Sequence, residues 1–444
     1  MATHVSNYEN PTPRQDTGKS RRLAGLVLAG LFAPALAAGA NSAYAQAGNL
    51  DPSFGTGGKA VTNFGVSVQP AGAAVDANGN IIVAAGFSHV SIATEAFGVV
   101  RYRSSGRVDT SFGNGGSAIA AFTNFINSPN AMALQPDGKI VVVGEARSAD
   151  GTLSEFAIAR FTANGALDSS FGRAGQVTTN FVGVKLGGVR NSATAVLIQP
   201  DGKLLVGGVA SQCGRCVHNT ALARYNTNGT LDAAFGNGGE VSVNAIGAVG
   251  ALALLSSGDI LAVNNTSGAL AQFTAQGALA SSPSSGTIVA SSVGSVIAFQ
   301  PDSKIILAQT ALEAASGYRS DIDVKVVRFN PSGGVDLTFA SPLFDFGPED
   351  RETNAAQAVV LDSNWKVLAG GYSGTSSPVF GLARLNTDGT LDSSFGNGGK
   401  VTTRFNGLDL IWALVVQSDG KILAIGETCP NGSCNLALAR YLAN

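Results

Sequence analysis

Histidine is nearly missing, with 3 residues in 444. Beyond the N-terminal segment only His89 and His218 remain. Neither belongs to a His-x-x-His or His-Glu-x-x-His pattern, which removes the usual footing for a helical metalloprotease site. There is no Gly-x-Ser-x-Gly elbow between a strand and a helix. The many Gly pairs belong to turns, not to phosphate loops. Charge is thin as well, at 13% of residues. Without the first 45 residues, 24 basic side chains stand against 28 acidic ones, a net charge of −4. A mildly acidic chain with no basic stripe argues against nucleic acid as a partner. Only one stretch approaches membrane-spanning length, so no transmembrane segment is expected in the mature chain.

That stretch is N-terminal. Lys19, Arg21 and Arg22 precede an apolar run from Leu23 to Ala40, which Pro34 interrupts, and Ala43-Tyr44-Ala45 is a small-x-small cleavage signal. Residues 1–45 therefore read as a signal peptide, with the mature protein starting near Gln46. A transmembrane helix is the competing reading. Marginal length, Ala and Gly content, Pro34 and the cleavage signal all favour the cleaved peptide. Ser20-Arg21-Arg22-Leu23 also resembles a twin-arginine export signal. The expected location is the periplasm, the cell surface or the exterior.

Cysteine is sparse but organised. Its four copies form two local pairs, Cys213-Gly-Arg-Cys216 and Cys429-Pro-Asn-Gly-Ser-Cys434. Both precede a run of the type Ala-Leu-Ala-Arg. In an oxidising compartment each pair is expected to close a small loop as a disulfide. Two pairs in separate, non-adjacent units do not converge on one metal. Cys213-x-x-Cys216-Val217-His218 has one residue too many for haem attachment. A redox Cys-x-x-Cys opens a helix, and no helix is legible here.

What the chain has in abundance is repetition. Asp51-Pro-Ser-Phe54-Gly55 recurs as Asp109-Thr-Ser-Phe112-Gly113, Asp168-Ser-Ser-Phe171-Gly172, Asp232-Ala-Ala-Phe235-Gly236 and Asp392-Ser-Ser-Phe395-Gly396. Asp336-Leu-Thr-Phe339-Ala340 is a weaker copy, and Ala280-Ser-Ser-Pro283-Ser284 a decayed one. The seven copies lie 48 to 64 residues apart, a period typical of propellers and solenoids. With 45% hydrophobic residues and 57 glycines, a large turn-rich β-protein fits better than disorder.

One unit shows the grammar. Residues 193–198 read as a strand, Gln199-Pro-Asp-Gly-Lys203 as a tight turn, and 204–210 as a second strand. The segment 220–225 is a third and 240–244 a fourth. Four short strands per unit make a propeller blade. The chain ends on a third-strand sequence, Leu436 to Tyr441, and residues 49–64 carry the piece that should follow. The N-terminal strand is thus expected to complete the last blade as its outer strand. The reading is an all-β, seven-bladed propeller of four-stranded blades over residues 46–444. An eight-bladed ring and an open array are the alternatives, and an array would need polar caps that are not legible.

Arg101, Arg160, Arg224, Arg328 and Arg384 are each followed eight residues later by Asp109, Asp168, Asp232, Asp336 and Asp392. In the decayed unit both partners are lost together, as Gln272 and Ala280. Joint loss is what a charge pair predicts, since removing one partner strands the other. The expectation is a repeated Arg–Asp bond holding each crossing loop to its blade, with Arg440 meeting Asp51 across the closure. These acids read as architecture, not as a catalytic or calcium-binding ring. The motif Phe reads as a plug between blades.

The blocks Leu-Asp-x-x-Phe-Gly-x-x-Gly-Lys-Val, Gln-Pro-Asp-Gly-Lys-Ile and Ala-Leu-Ala-Arg-Tyr, recurring in that order, resemble the delta-60 repeat family of exported bacterial proteins. The resemblance covers nearly all of residues 49–444, and the unit at 245–292 departs from it. It implies a propeller-like fold and an envelope or extracellular location. It implies no activity and assigns no site residue.

A site is expected on the variable loops opposite the uniform turns. These are 86–95, 145–155, 182–191, 311–323 and 346–353. The last is the most charged; Asp345, Glu349, Asp350 and Glu352 offer oxygen ligands but follow no calcium-loop spacing, which favours a solvated loop. No catalytic, cofactor or metal residue is assigned. The expected function is a non-enzymatic, monomeric binding module for a glycan or an envelope protein, without cofactor. The alternative is a propeller lyase or hydrolase acting on an exported polymer.

Overall fold

The computed structural model describes residues 46–443, apart from 89–94, 124, 182–189, 212–217, 265–267, 285–294, 313–321, 332–333 and 348–352. The signal-peptide reading of 1–45 and the Cys213/Cys216 pair lie outside the described residues, as does His89.

Seven four-stranded antiparallel sheets form the fold, and no helix of the described residues is long and apolar enough to cross a membrane. The innermost strands are Ser67–Val75, Phe125–Leu134, Arg190–Ile198, Val249–Leu254, Ser295–Phe299, Asn354–Leu361 and Leu408–Val416. Each neighbours the next, and the seventh returns against the first, so the ring closes. The blades are numbered 1 to 7 in that order. Blade 7 takes its outer strand from the other end of the chain: Lys59–Thr62 pairs with Asn435–Tyr441, Lys59 opposite Ala439 and Thr62 opposite Leu436.

The two middle strands of a blade are covered on both faces by the adjacent blades. Their sequences are accordingly continuous apolar runs and not alternating ones. Leu204–Ser211 is buried at every position. Small Ala residues in Thr220-Ala-Leu-Ala-Arg-Tyr225 let neighbouring sheets approach. Each interblade core mixes residues of two blades, as Val141, Phe156 and Ile158 pack with Leu204, Val206 and Ala223.

Blade 4 departs from the pattern. Its third strand, Leu270–Phe273, is joined to the fourth, Leu279–Ser284, by a tight turn in which Gly277 donates to the Thr274 carbonyl. The decayed motif is therefore not a crossing loop at all. Ala280 lies within the fourth strand.

Candidate functional site

The inner strands do not run straight. In six of the seven blades the register against the second strand slips by one residue, leaving Ala71, Asn130, Thr194, Gly250, Gln357 or Trp412 opposite no partner. Such a bulge re-aims the side chain it carries. All six residues line a central channel of about 740 Å³. Ser295–Phe299 of blade 5 pairs without a slip.

The sequence marks the bulge indirectly. A Cβ on Gly144 would run into the Ser128 carbonyl, and one on Gly426 into the Leu410 carbonyl. Only glycine leaves room for the displaced inner strand. Three residues before the bulge, Asn127, Asn191, Asn354 and Asp409 are almost wholly buried. Asp409 Oδ2 accepts from the Phe405 N–H at 2.7 Å, and Asn354 Oδ1 from the Phe346 N–H at 3.2 Å. These caps fix the chain as it enters the inner strand.

Several polar groups of the channel wall are already engaged. Glu95 accepts from Ser88 Oγ at 3.3 Å on one carboxyl oxygen and from Ser128 Oγ at 2.9 Å on the other, joining blades 1 and 2. Asn130 Nδ2 donates to the Ala193 carbonyl at 2.8 Å and to Ser192 Oγ at 3.2 Å. Thr194 Oγ1 donates to the Val249 carbonyl. Trp412 is half-buried; its indole N–H faces the Glu427 carboxyl without reaching hydrogen-bond geometry. Burial pushes that carboxyl up, and the indole works the other way.

Around this channel stands a repeated clasp. Nε of Arg101, Arg160, Arg224, Arg328, Arg384 and Arg440 lies 2.7 to 2.9 Å from Oδ2 of Asp109, Asp168, Asp232, Asp336, Asp392 and Asp51. Each guanidinium also sits 4.3 to 4.8 Å from the motif Phe ring of its own unit. Nη1 then reaches the next blade, donating to the carbonyls of Ala163, Thr227, Ala275, Thr387, Ala443 and Ser104 at 2.6 to 2.8 Å. One arginine thus ties its crossing, a ring and the neighbouring blade together.

The lysine of the tight turn often joins. Lys203, Lys304, Lys366 and Lys421 lie 3.0, 3.0, 2.7 and 3.4 Å from Asp232, Asp336, Asp392 and Asp51. Hydrogen bonds from Ser111, with Arg101 beside it, hold Asp109 at about 2. At Asp51 burial opposes the charged form, but Ser53, Arg440 and Lys421 outweigh it and bring the carboxyl to about 2. Between blades 4 and 5 the arginine position is Gln272, whose Nε2 donates instead to Asp259 at 3.1 Å.

A second tie crosses between blades: the hydroxyls of Tyr102, Tyr225 and Tyr441 donate to Thr62, Thr179 and Thr403 at 3.0, 2.7 and 2.8 Å. Cys429 and Cys434 form a disulfide at the loop end of blade 7. His218 is exposed and does not line the channel. Of the charged loop, Glu349, Asp350 and Glu352 lie outside the described residues. Neither the bulge residues nor the buried caps stand out in the sequence. The Gly in the second strand is the available signal.

Five stretches of the chain, 77–112, 135–171, 199–235, 366–395 and 417–444, match the family described as "Domain of unknown function (DUF5122) beta-propeller". The chain is a repeat β-propeller protein. No curated protein matches it in sequence. Among solved structures it is similar to a catalytically inactive virginiamycin B lyase from Staphylococcus aureus with quinupristin. That match has 12% identity and a TM-score of 0.49, covering 86% of this chain and 98% of that one. It is also similar to the Penicillium chrysogenum alpha-L-arabinanase complexed with arabinobiose, at 8% identity and a TM-score of 0.44, covering 89% and 96%. A protein of unknown function from Dyadobacter fermentans matches at 10% identity and 0.45, covering 89% and 100%.

Proposed function

We propose that this protein is an exported, non-enzymatic binding module of the delta-60 repeat type that holds a neutral glycan in its central channel. The observation that carries the reading is the bulge. A uniform frame presents one bulged position from each of six blades to a shared cavity, and the set includes Gln357 and Trp412 beside Asn130 and Thr194, whose donors are already engaged. Amides and hydroxyls match the donor and acceptor pattern of sugar hydroxyls, and an indole offers a flat apolar face for a ring. The proposal includes cleavage near Gln46, delivery to the envelope or exterior, and a monomeric mature protein without cofactor. The disulfide at Cys429–Cys434 supports an oxidising compartment.

Binding is favoured over the alternative, a lyase or hydrolase acting on an exported polymer. Glycoside hydrolysis ordinarily employs two carboxyl groups across the scissile bond. Among the described residues lining the channel the carboxylate is Glu95, and both of its oxygens are held by serines. The test is a thermal-shift screen of residues 46–444 against oligosaccharides, with calorimetry of any hit. A ligand at 100 times its Kd should add about 2.7 kcal/mol of stability. Trp412→Ala should abolish the shift and keep the unliganded melting temperature within a few degrees. A screen without a hit, or a hit indifferent to Trp412, removes the glycan reading.

A further inference from the structure

The loop end of blade 7 brings together three side chains that do not line the channel. Glu427 and Cys429 lie on its second strand, Ile422–Cys429, and Cys434 directly precedes its third, Asn435–Tyr441. A carboxyl oxygen of Glu427 and the two sulfurs all lie within 4.8 Å of one another. Glu427 is 6% exposed, and its backbone is paired on both sides, opposite Leu410 and Leu436. The cysteines are half-buried, and the four residues between them are exposed. Gly432 lies among those four, with nothing within 4 Å of where its Cβ would be, so the loop has room to adjust.

We propose that reduction of Cys429–Cys434 converts this cluster into a binding site for a thiophilic divalent cation such as Zn²⁺ or Cd²⁺, with Cys429, Cys434 and Glu427 as ligands. In the oxidised protein the sulfurs share their bond and carry no charge, and one carboxylate alone does not hold such an ion. A reductant supplies two electrons to the S–S bond: a dithiol gives its two thiol protons and leaves as its disulfide, or a phosphine takes the oxygen of one water, whose two protons complete the thiols, and leaves as its oxide. Metal binding then displaces both thiol protons to solvent and forms two M–S bonds and one M–O bond. Two thiolates and a carboxylate are a borderline-soft donor set, suited to Zn²⁺ and Cd²⁺ over Mg²⁺ or Ca²⁺. A fourth position is left for water or an external ligand, as in sites that stay open to solvent. The site would be closed by oxidation and opened by reduction.

The experiment uses the full mature chain with Cys213→Ser and Cys216→Ser, so that one cysteine pair remains. The protein is reduced with a phosphine and titrated with Cd²⁺ while the thiolate-to-cadmium charge-transfer absorbance is followed. Saturation at one Cd²⁺ per chain is expected after reduction, and no band before it. Glu427→Gln should keep the band but weaken binding about tenfold or more, since loss of a direct ligand should cost at least as much as loss of a supporting contact. Melting is measured alongside: Cd²⁺ should raise it in the reduced protein and leave it unmoved in a Cys429→Ser/Cys434→Ser variant. A reduced protein with no more absorbance than that double-serine variant overturns the site. An affinity unchanged in Glu427→Gln overturns the three-ligand assignment.

Discussion

At the scale of single residues, the motif aspartates do most to explain why the repeat keeps its letters. Each buried carboxylate is matched by an arginine, and most by a hydroxyl two residues on, as at Asp168 with Ser170. A carboxyl whose folded value is depressed contributes stability that is present above its unfolded value and lost as pH falls through the folded one. The ordinary aspartate value is about 4, and Asp51 and Asp109 are held at about 2. The melting temperature should therefore be flat from about pH 8 to 5 and fall steeply between about pH 4 and 2. A melting curve insensitive to pH over that lower range would remove the clasps from the stability of the ring.

Trp365 breaks a local rule, as does Ser303 at φ +63° in the equivalent turn of blade 5. Trp365 has φ +62° and is 46% exposed in the first hairpin turn of blade 6, where Gly79, Gly138, Gly202, Gly258 and Gly420 occupy the left-handed conformation in other blades. A bulky side chain there costs about 1–2 kcal/mol. Trp365→Gly should raise stability by about 1 kcal/mol, less whatever packing the half-exposed ring contributes, as read from chemical unfolding.

At the scale of elements, the strands and their turns are legible because they follow from short apolar runs and turn chemistry. The bulges are not. A one-residue slip leaves no mark on a run such as Leu410-Ile-Trp-Ala-Leu414, because both parities of that run are apolar. Its trace lies on the partner strand, in glycines such as Gly144 and Gly426, and a strand glycine equally marks a tight bend or a close ligand. Blade 4 hides its outer strand in a related way: by its letters Leu279–Ser284 is a failed crossing, whereas the shortened connection makes it a strand. Gly144→Ala should force the bulge at Asn130 flat or the strands apart. A loss of about 2 kcal/mol in unfolding free energy is expected, together with weakened channel binding. Wild-type stability in that variant would show that the bulge needs no glycine.

At the scale of the whole molecule, seven-bladed closure is readable because the two ends of the chain carry complementary pieces of one blade. The closure is joined by strand pairing, by the Arg440–Asp51 contact and by Tyr102 bonding Thr62. Removing one partner of a buried pair strands the other. Asp51→Ala should cost about 3 kcal/mol, measured by urea unfolding. Between blades 4 and 5 the clasp positions are Gln272, Ala280 and Pro283, and the apolar cluster there includes Leu261, Val263, Ile305 and Leu307. The ring sets uniform clasps on its frame against unlike side chains in its channel.

The most direct test of that contrast exploits the sequence's two tryptophans, Trp365 and Trp412. In a Trp365→Phe protein the remaining emission reports from the channel wall. Titration with the oligosaccharides of the screen should shift or quench it saturably, with a midpoint equal to the calorimetric Kd. Emission that stays constant while calorimetry registers binding would place the ligand elsewhere and contradict the channel as the site.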